Sequence, residues 1–171
     1  RSHPCQLLAD ILTFYEKRGS IKGKKVTWFG DFNNVCFSYA QAADLFEFEF
    51  WVACPKEYIP DSGFKFKNTI FTSSISDAAK NSDLISTDVW VSMGDENETE
   101  KRVDAFSNFQ VNEQVLDLAK TDVVFLHCLP AIRGNEISST LFEDPRSYVF
   151  TQAENRLHAQ KGLLLNLLSD N

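Results

Sequence analysis

The run Val123-Val124-Phe125-Leu126, closed by His127-Cys128-Leu129-Pro130, constrains the fold more than any other stretch of the chain. It is apolar, β-branched and aromatic without interruption, and reads as a buried strand over 122–128. Pro130 ends it, because proline has no N–H for the ladder. A buried strand of this kind in an open α/β sheet puts its carboxyl end where such sheets collect ligands, and Cys128 stands at that end.

The rest of the pattern supplies the sheet. Leu7, Leu8, Ile11, Leu12 and Tyr15 recur at helical spacing across 4–18, and Gly19 follows as a stop. Further strands are expected at 25–30, 48–54, 69–73, 83–90 and 147–150. Helices are expected at 34–46, 76–81, 99–107, 112–120 and 152–168. Strands alternating with helices give right-handed crossovers, hence an α/β fold: a three-layer open parallel sheet with Rossmann-like topology. No repeat, low-complexity tract or linker interrupts it, so residues 1–171 are expected to form a single domain.

Composition excludes several function classes. A formal net charge of −7 with a pI near 4.9 disfavours nucleic acid and anionic membrane as partners. The basic cluster Lys17, Arg18, Lys22, Lys24, Lys25 is expected to be a solvated loop rather than a phosphate site. No apolar run approaches the ~20 residues of a membrane span, and the chain opens on polar residues without a signal-peptide pattern. Cys5, Cys36, Cys54 and Cys128 show no metal-binding spacing, so no metal is expected; reduced thiols point to a cytoplasmic location. Asn97-Glu98-Thr99 matches a glycosylation acceptor by chance in that compartment. The turn Gly30-Asp31-Phe32-Asn33-Asn34 carries one glycine where a dinucleotide fold carries three, so no nicotinamide, flavin or other cofactor is expected.

Four blocks stand in a fixed order: His3-Pro4-Cys5-Gln6, Asp88 to Ser92-Met93-Gly94, His127-Cys128-Leu129-Pro130, and Glu154-Asn155-Arg156 running to Lys161. Together they resemble ornithine carbamoyltransferases, and the likeness runs almost the length of the chain. The resemblance implies the amino-acid (ornithine)-binding domain of such an enzyme. Carbamoyl transfer joins a neutral amine to the carbonyl carbon of carbamoyl phosphate and expels phosphate. An amine with a pKa near ~10 is mostly protonated at neutral pH, so the site must select or make the neutral form and align it.

The resemblance distributes the roles. Cys128, Asp88 and Arg156 are the expected catalytic residues. Asn34, Asp88, Ser92, Met93, Cys128 and Leu129 would bind ornithine, with Ser92 and Met93 on a loop that closes over it and Gly94 supplying flexibility. His3, Gln6, Cys128, Leu129 and Arg156 would bind carbamoyl phosphate. A cis Leu129-Pro130 bond is implied. His127 and Cys128 are neighbours on a strand and face opposite ways, which argues against a Cys–His nucleophilic pair.

Without the family, each residue has a plainer explanation. Cys128 is a buried cysteine at a strand end, Asp88 a loop cap, Asn34 an N-cap (compatible with binding), and Arg156 a surface ion pair with Glu154. His158 reads as structural.

The chain departs from the family in two places. Phe32 replaces a usual glycine, and 56–68, with Pro60 and Gly63, is expected to stay a loop or single turn where relatives carry a helix, leaving one sheet face less covered. No Ser-x-Arg-Thr phosphate motif is present, so the amino-terminal carbamoyl-phosphate domain is expected to be absent from this chain and the fragment inactive alone. The apolar helix 152–168, with helix 4–18, would cross to that domain. The intact enzyme would be a homotrimer or higher oligomer. The rival readings are an acetylornithine or putrescine carbamoyltransferase, a non-catalytic amino-acid-binding relative, and a cysteine-nucleophile enzyme acylated on Cys128.

Overall fold

The computed structural model describes residues 2–60, 66–91 and 96–169. Expectations for Ser92, Met93 and Gly94 lie outside the described residues. Five strands, β1 (Lys25–Phe29), β2 (Glu49–Ala53), β3 (Thr69–Thr72), β4 (Leu84–Thr87) and β5 (Val124–His127), form one all-parallel sheet in the order β3-β2-β1-β4-β5. The order reverses between β1 and β4, so the chain winds outward in both directions from that pair.

Helices cover both faces, as the sequence predicts. Thr27 and Trp28 are neighbours on β1 and point opposite ways. Thr27 donates from Oγ1 to the Ala78 carbonyl of α3 (Ile75–Ala79) at 2.9 Å, whereas the Trp28 ring meets Tyr39 of α2 (Asn34–Phe46) at 5.8 Å. With α2 lie α1 (Pro4–Arg18) and α6 (Val149–Leu168), which pack along each other and on β5. With α3 lies α5 (Glu113–Leu118); α4 (Thr99–Phe106) follows a 3-10 turn after β4. The core is aromatic on the α2 side: Tyr39 stacks on Phe50 with rings 5.5 Å apart, and Phe14, Trp28 and Phe48 are fully buried beside them.

Most expected boundaries move by a residue or two, which is where hydrogen-bonded ends fray. One expected element changes identity. The strand at 147–150 is a single bridge between Ser147 and Phe125, and α6 begins at Val149 instead of 152. Phe125 donates to the Arg146 carbonyl and accepts from the Tyr148 N–H, after which the chain turns into helix. The β-branched and aromatic residues there satisfy a helix face against α1 as well as they would a strand.

The basic cluster is another correction. Arg18 is largely buried and pairs with Asp83 at 3.0 Å and Asp122 at 2.9 Å. Lys25 donates to the carbonyls of Asp77 and Lys80 and lies 4.2 Å from the Trp51 ring centroid. Burial alone would raise the Asp83 carboxyl, but hydrogen bonds from Lys120 and the Lys25 N–H, with the charges of Lys120 and Arg18, hold it below its ordinary value. Arg18 and Lys25 therefore tie the amino ends of the strands together, while Lys17 and Lys22 are exposed, as expected of a solvated loop.

In the connection after β2 the described residues carry a 3-10 turn, Lys56–Tyr58; residues 61–65, Gly63 among them, lie outside the described residues. No helix covers that part of the sheet among the described residues; a ring cluster does. Phe32 packs edge-on to Phe71 at 5.2 Å and to Phe37 at 6.1 Å, and Phe37 meets Phe66 at 5.5 Å. The aromatic residue at position 32 thus fills space at that edge of the sheet.

Candidate functional site

The crevice opens at the carboxyl ends of β1, β4 and β5, at the point where strand order reverses. Each strand delivers one part. After β1, Gly30 turns the chain with φ 128°, a conformation that side-chain-bearing residues rarely adopt. A Cβ there would meet Trp28 Nε1 at 3.6 Å and Thr87 Oγ1 at 3.8 Å. The turn delivers Asn33, whose Oδ1 accepts from the N–H groups of Val35 and Cys36, both at 3.0 Å. Asn33, not Asn34, is therefore the N-cap of α2. Asn34 is the first helical residue; it is exposed and lines a cavity of about 480 Å³ with Asp31, Phe32, Asn33, Phe37, Tyr58 and Pro60.

After β4 comes Asp88, outside the strand rather than within it, because β4 stops at Thr87. Asn33 donates from Nδ2 to Asp88 Oδ2 at 2.8 Å, and the Val89 N–H donates to Oδ1 at 2.8 Å. After β5 comes Cys128, whose thiol sulfur lies within 4.8 Å of an Asp88 carboxylate oxygen. Burial first, then the Asp88 charge, push that thiol well above the ordinary cysteine range. It is therefore a neutral S–H at neutral pH, a donor rather than a nucleophile.

His127 faces away. Its Nδ1 accepts from the Leu129 N–H at 2.9 Å, so Nε2 carries the proton and donates to Glu136 Oε1 at 3.2 Å, the His127 and Glu136 side chains both fully buried. Ligand atoms of Asp88, His127 and Cys128 lie within 4.8 Å of one another, closer than strand alternation suggests, because β5 has ended at His127. Yet neither imidazole nitrogen has a lone pair free, which leaves two ligands for a metal and no base for Cys128. The Leu129-Pro130 bond is cis, as the resemblance implies, and Leu129 itself has φ 51°.

The second group lies on α1 and α6. Gln6 is buried, and Arg156 donates from Nη1 to Gln6 Oε1 at 2.5 Å. Among the described residues, Arg156 Nε is buried without a hydrogen-bond partner. The plainer explanation of Arg156, a surface pair with Glu154, does not hold; Glu154 instead stands 3.8 Å from His158 on the exposed side. His3 donates its main-chain N–H to Ser38 Oγ of α2 at 2.6 Å. Gln6 Nε2 in turn donates to the buried Asp10 carboxyl of α1 at 3.0 Å.

The residues 22–167 match the family model described as "Aspartate/ornithine carbamoyltransferase, Asp/Orn binding domain". The chain belongs to the aspartate/ornithine carbamoyltransferase family. It is 54% identical over 171 residues to an ornithine carbamoyltransferase of Psychrobacter cryohalolentis, covering 98% of this chain and 56% of that one. The crystal structure of ornithine carbamoyltransferase from Thermus thermophilus superposes with a TM-score of 0.88 at 46% identity, over 99% of this chain and 56% of that chain. A structure of acetylornithine transcarbamylase complexed with acetylcitrulline is also similar, with a TM-score of 0.81 at 27% identity over 99% of this chain and 57% of that chain. The chain thus spans about half the length of the relatives it matches.

Sequence reasoning missed Asn33, Asp10 and Arg102. Either asparagine of the turn could cap α2, and only the backbone decides. Asp10 was legible in part: it interrupts the helical stripe of Leu7, Ile11 and Phe14, and a charged residue on a buried face signals a partner. Arg102 donates to Asp31 Oδ2 at 2.7 Å across a sequence separation no local pattern records, bracing α4 against the β1 turn. Among the described residues, no helix is long and apolar enough to cross a membrane.

Proposed function

We propose that this chain is the ornithine-binding domain of an ornithine carbamoyltransferase, which transfers the carbamoyl group of carbamoyl phosphate to the side-chain amine of ornithine. The observation that carries the reading is the Asp88–Cys128–Leu129 corner at the strand-order reversal, in a chain 54% identical to a named ornithine carbamoyltransferase. An anionic carboxylate beside a neutral thiol favours a cationic amino group over any other ligand. Asp88 binds the amino groups of ornithine, Cys128 and the Leu129 carbonyl face the reacting amine, and Asn34 takes the amino-acid head group at the α2 end. Ser92 and Met93, which follow Asp88 closely in sequence, complete the ornithine-binding set.

In the reaction the amine nitrogen bonds to the carbonyl carbon, the bond from that carbon to the phosphate oxygen breaks, and the amine loses a proton. Citrulline and phosphate result. The raised thiol supports a role for Cys128 in contact rather than acylation. Arg156 and Gln6, with His3, address the carbamoyl group; Arg156 Nε, without a hydrogen-bond partner among the described residues, is a donor available for it.

The phosphate clamp belongs to an amino-terminal domain of the intact enzyme. In support, the chain spans 56% of its relative's length. Exposed Leu157, Leu164, Leu165 and Leu168 on α6 offer that domain an apolar face. We place the enzyme in the cytoplasm, in arginine metabolism, as a homotrimer; four free cysteines suit a reducing compartment.

Steady-state rates of the full-length protein with ornithine, acetylornithine and putrescine test the reading. A clear preference for ornithine is expected. Preference for acetylornithine, whose carbamoyltransferase shares the fold, transfers the assignment to that activity. Ornithine binding without turnover by the full-length protein would identify a non-catalytic relative.

A further inference from the structure

Beneath the carbamoyl corner, a buried carboxyl joins the three helices of one face. Asp10 Oδ1 accepts from Gln6 Nε2 of α1 at 3.0 Å and from Gln152 Nε2 of α6, and Asp10 Oδ2 accepts from the Tyr39 hydroxyl of α2 at 2.6 Å. Asp10, Gln6, Tyr39 and Gln152 are each at most 1% exposed, so no water substitutes for a lost partner.

The chemistry of these groups leaves Gln6 a single orientation. Its amide lies between a group that accepts, the Asp10 carboxyl, and a group that only donates, the Arg156 guanidinium. Nitrogen must face Asp10 and oxygen must face Arg156. A flipped amide would oppose N–H to N–H⁺ and oxygen to carboxyl oxygen in a site without solvent. Glutamine has rotatable bonds, so its orientation is selected by its two partners: the carboxyl fixes the nitrogen end and the guanidinium the oxygen end.

We propose that Asp10 is a positioning residue for carbamoyl-phosphate binding: its buried carboxyl sets the Gln6 amide and, through that amide, the Arg156 guanidinium. The proposal rests on the assignment of Gln6 and Arg156 to the carbamoyl group. Asp10 does not touch the substrate. It acts on one substrate's end of the site and leaves the Asp88–Asn33 end, which has its own hydrogen bonds, undisturbed.

The test uses the full-length protein and separates the two substrates. Asp10→Ala is expected to lower kcat/KM for carbamoyl phosphate by about ten-fold or more, as misplaced binding groups do, while the KM for ornithine changes by less than about two-fold. Asp10→Asn is expected to recover most of the loss, because its oxygen still accepts from both glutamines and its amide donates to Tyr39 Oη. Tyr39→Phe keeps the ring on Phe50 and removes one restraint on the carboxyl. It should show the same selective loss at about three-fold, and serves if the alanine variant does not fold.

A folded Asp10→Ala or Tyr39→Phe protein with unchanged kinetics overturns the proposal, as does an equal loss for both substrates. Gln6→Ala and Arg156→Ala are assayed alongside. If these leave carbamoyl phosphate use intact, the underlying assignment has failed. If they impair it and the Asp10 and Tyr39 variants do not, the positioning role alone has failed.

Discussion

Replacing Asp10 by asparagine should make the protein relatively more stable as pH rises, by an amount the structure sets. Burial pushes the Asp10 carboxyl up from an ordinary 3.8 to about 7; the donors Tyr39, Gln152 and Gln6 and the charge of Arg156 oppose that rise without cancelling it. Below pH 3.8 the carboxyl is protonated in both folded and unfolded chains and titration contributes no difference. Between 3.8 and about 7 the unfolded chain has lost the proton while the folded chain keeps it, so the unfolded state binds fewer protons and stability falls as pH rises. Above about 7 the loss is complete.

At ~1.4 kcal/mol per pH unit the full effect is on the order of 4 kcal/mol, a large part of the 5–15 kcal/mol typical of a domain. Asparagine keeps the shape and does not titrate. The measurement is urea unfolding of both proteins at intervals from pH 4 to 8, taking the stability difference at each pH. The subtraction removes the other carboxyls, including Asp83 and Asp144, whose lowered values give the opposite slope. The Asp10→Asn protein should gain several kcal/mol relative to the parent across this window. A flat difference would show that the carboxyl is not held unionised. A difference falling with pH would show that Arg156 and the three donors outweigh burial.

Cys128→Ala in the full-length protein should impair ornithine use by about ten-fold or more and carbamoyl phosphate binding little; equal effects, or none, count against the amine contact. Asn33→Ala should destabilise the chain by about 1–2 kcal/mol in urea unfolding, through loss of the α2 cap, and Asn34→Ala should not. The 171-residue chain alone should make no citrulline, and activity should return when the amino-terminal domain is added in trans; turnover by the chain alone would refute the two-domain reading. Leu165→Lys with Leu168→Lys should suppress self-association of the isolated chain in sedimentation, since both side chains are exposed on α6; unchanged association would place the contact elsewhere.

The sequence by itself determined the architecture. Periods of 3.6 and 2 residues depend only on which side chains avoid water, so the helices at 4–18 and 34–46 emerge with the bounds that the backbone shows, and the strands to within a residue or two, except 83–90, which stops three residues early. Cys128 was visible at a strand end, but its role and that of Asp88 came from the family resemblance; the sheet's winding sends both to one crevice. The reading at 147–150 failed because β-branched and aromatic residues serve either a strand or a helix face, and only packing against α1 and β5 decides between them.

What tertiary structure alone decided is partnership. That Asn33 caps α2 and also holds Asp88, that Arg18 closes on Asp83, that Arg156 turns from its neighbour Glu154 to Gln6, and that Asp10 gathers three helices all depend on residues far apart in sequence. A hydrogen bond or a desolvated charge is settled by distances of an ångström or less, and those distances exist only once the sheet has brought the helices together.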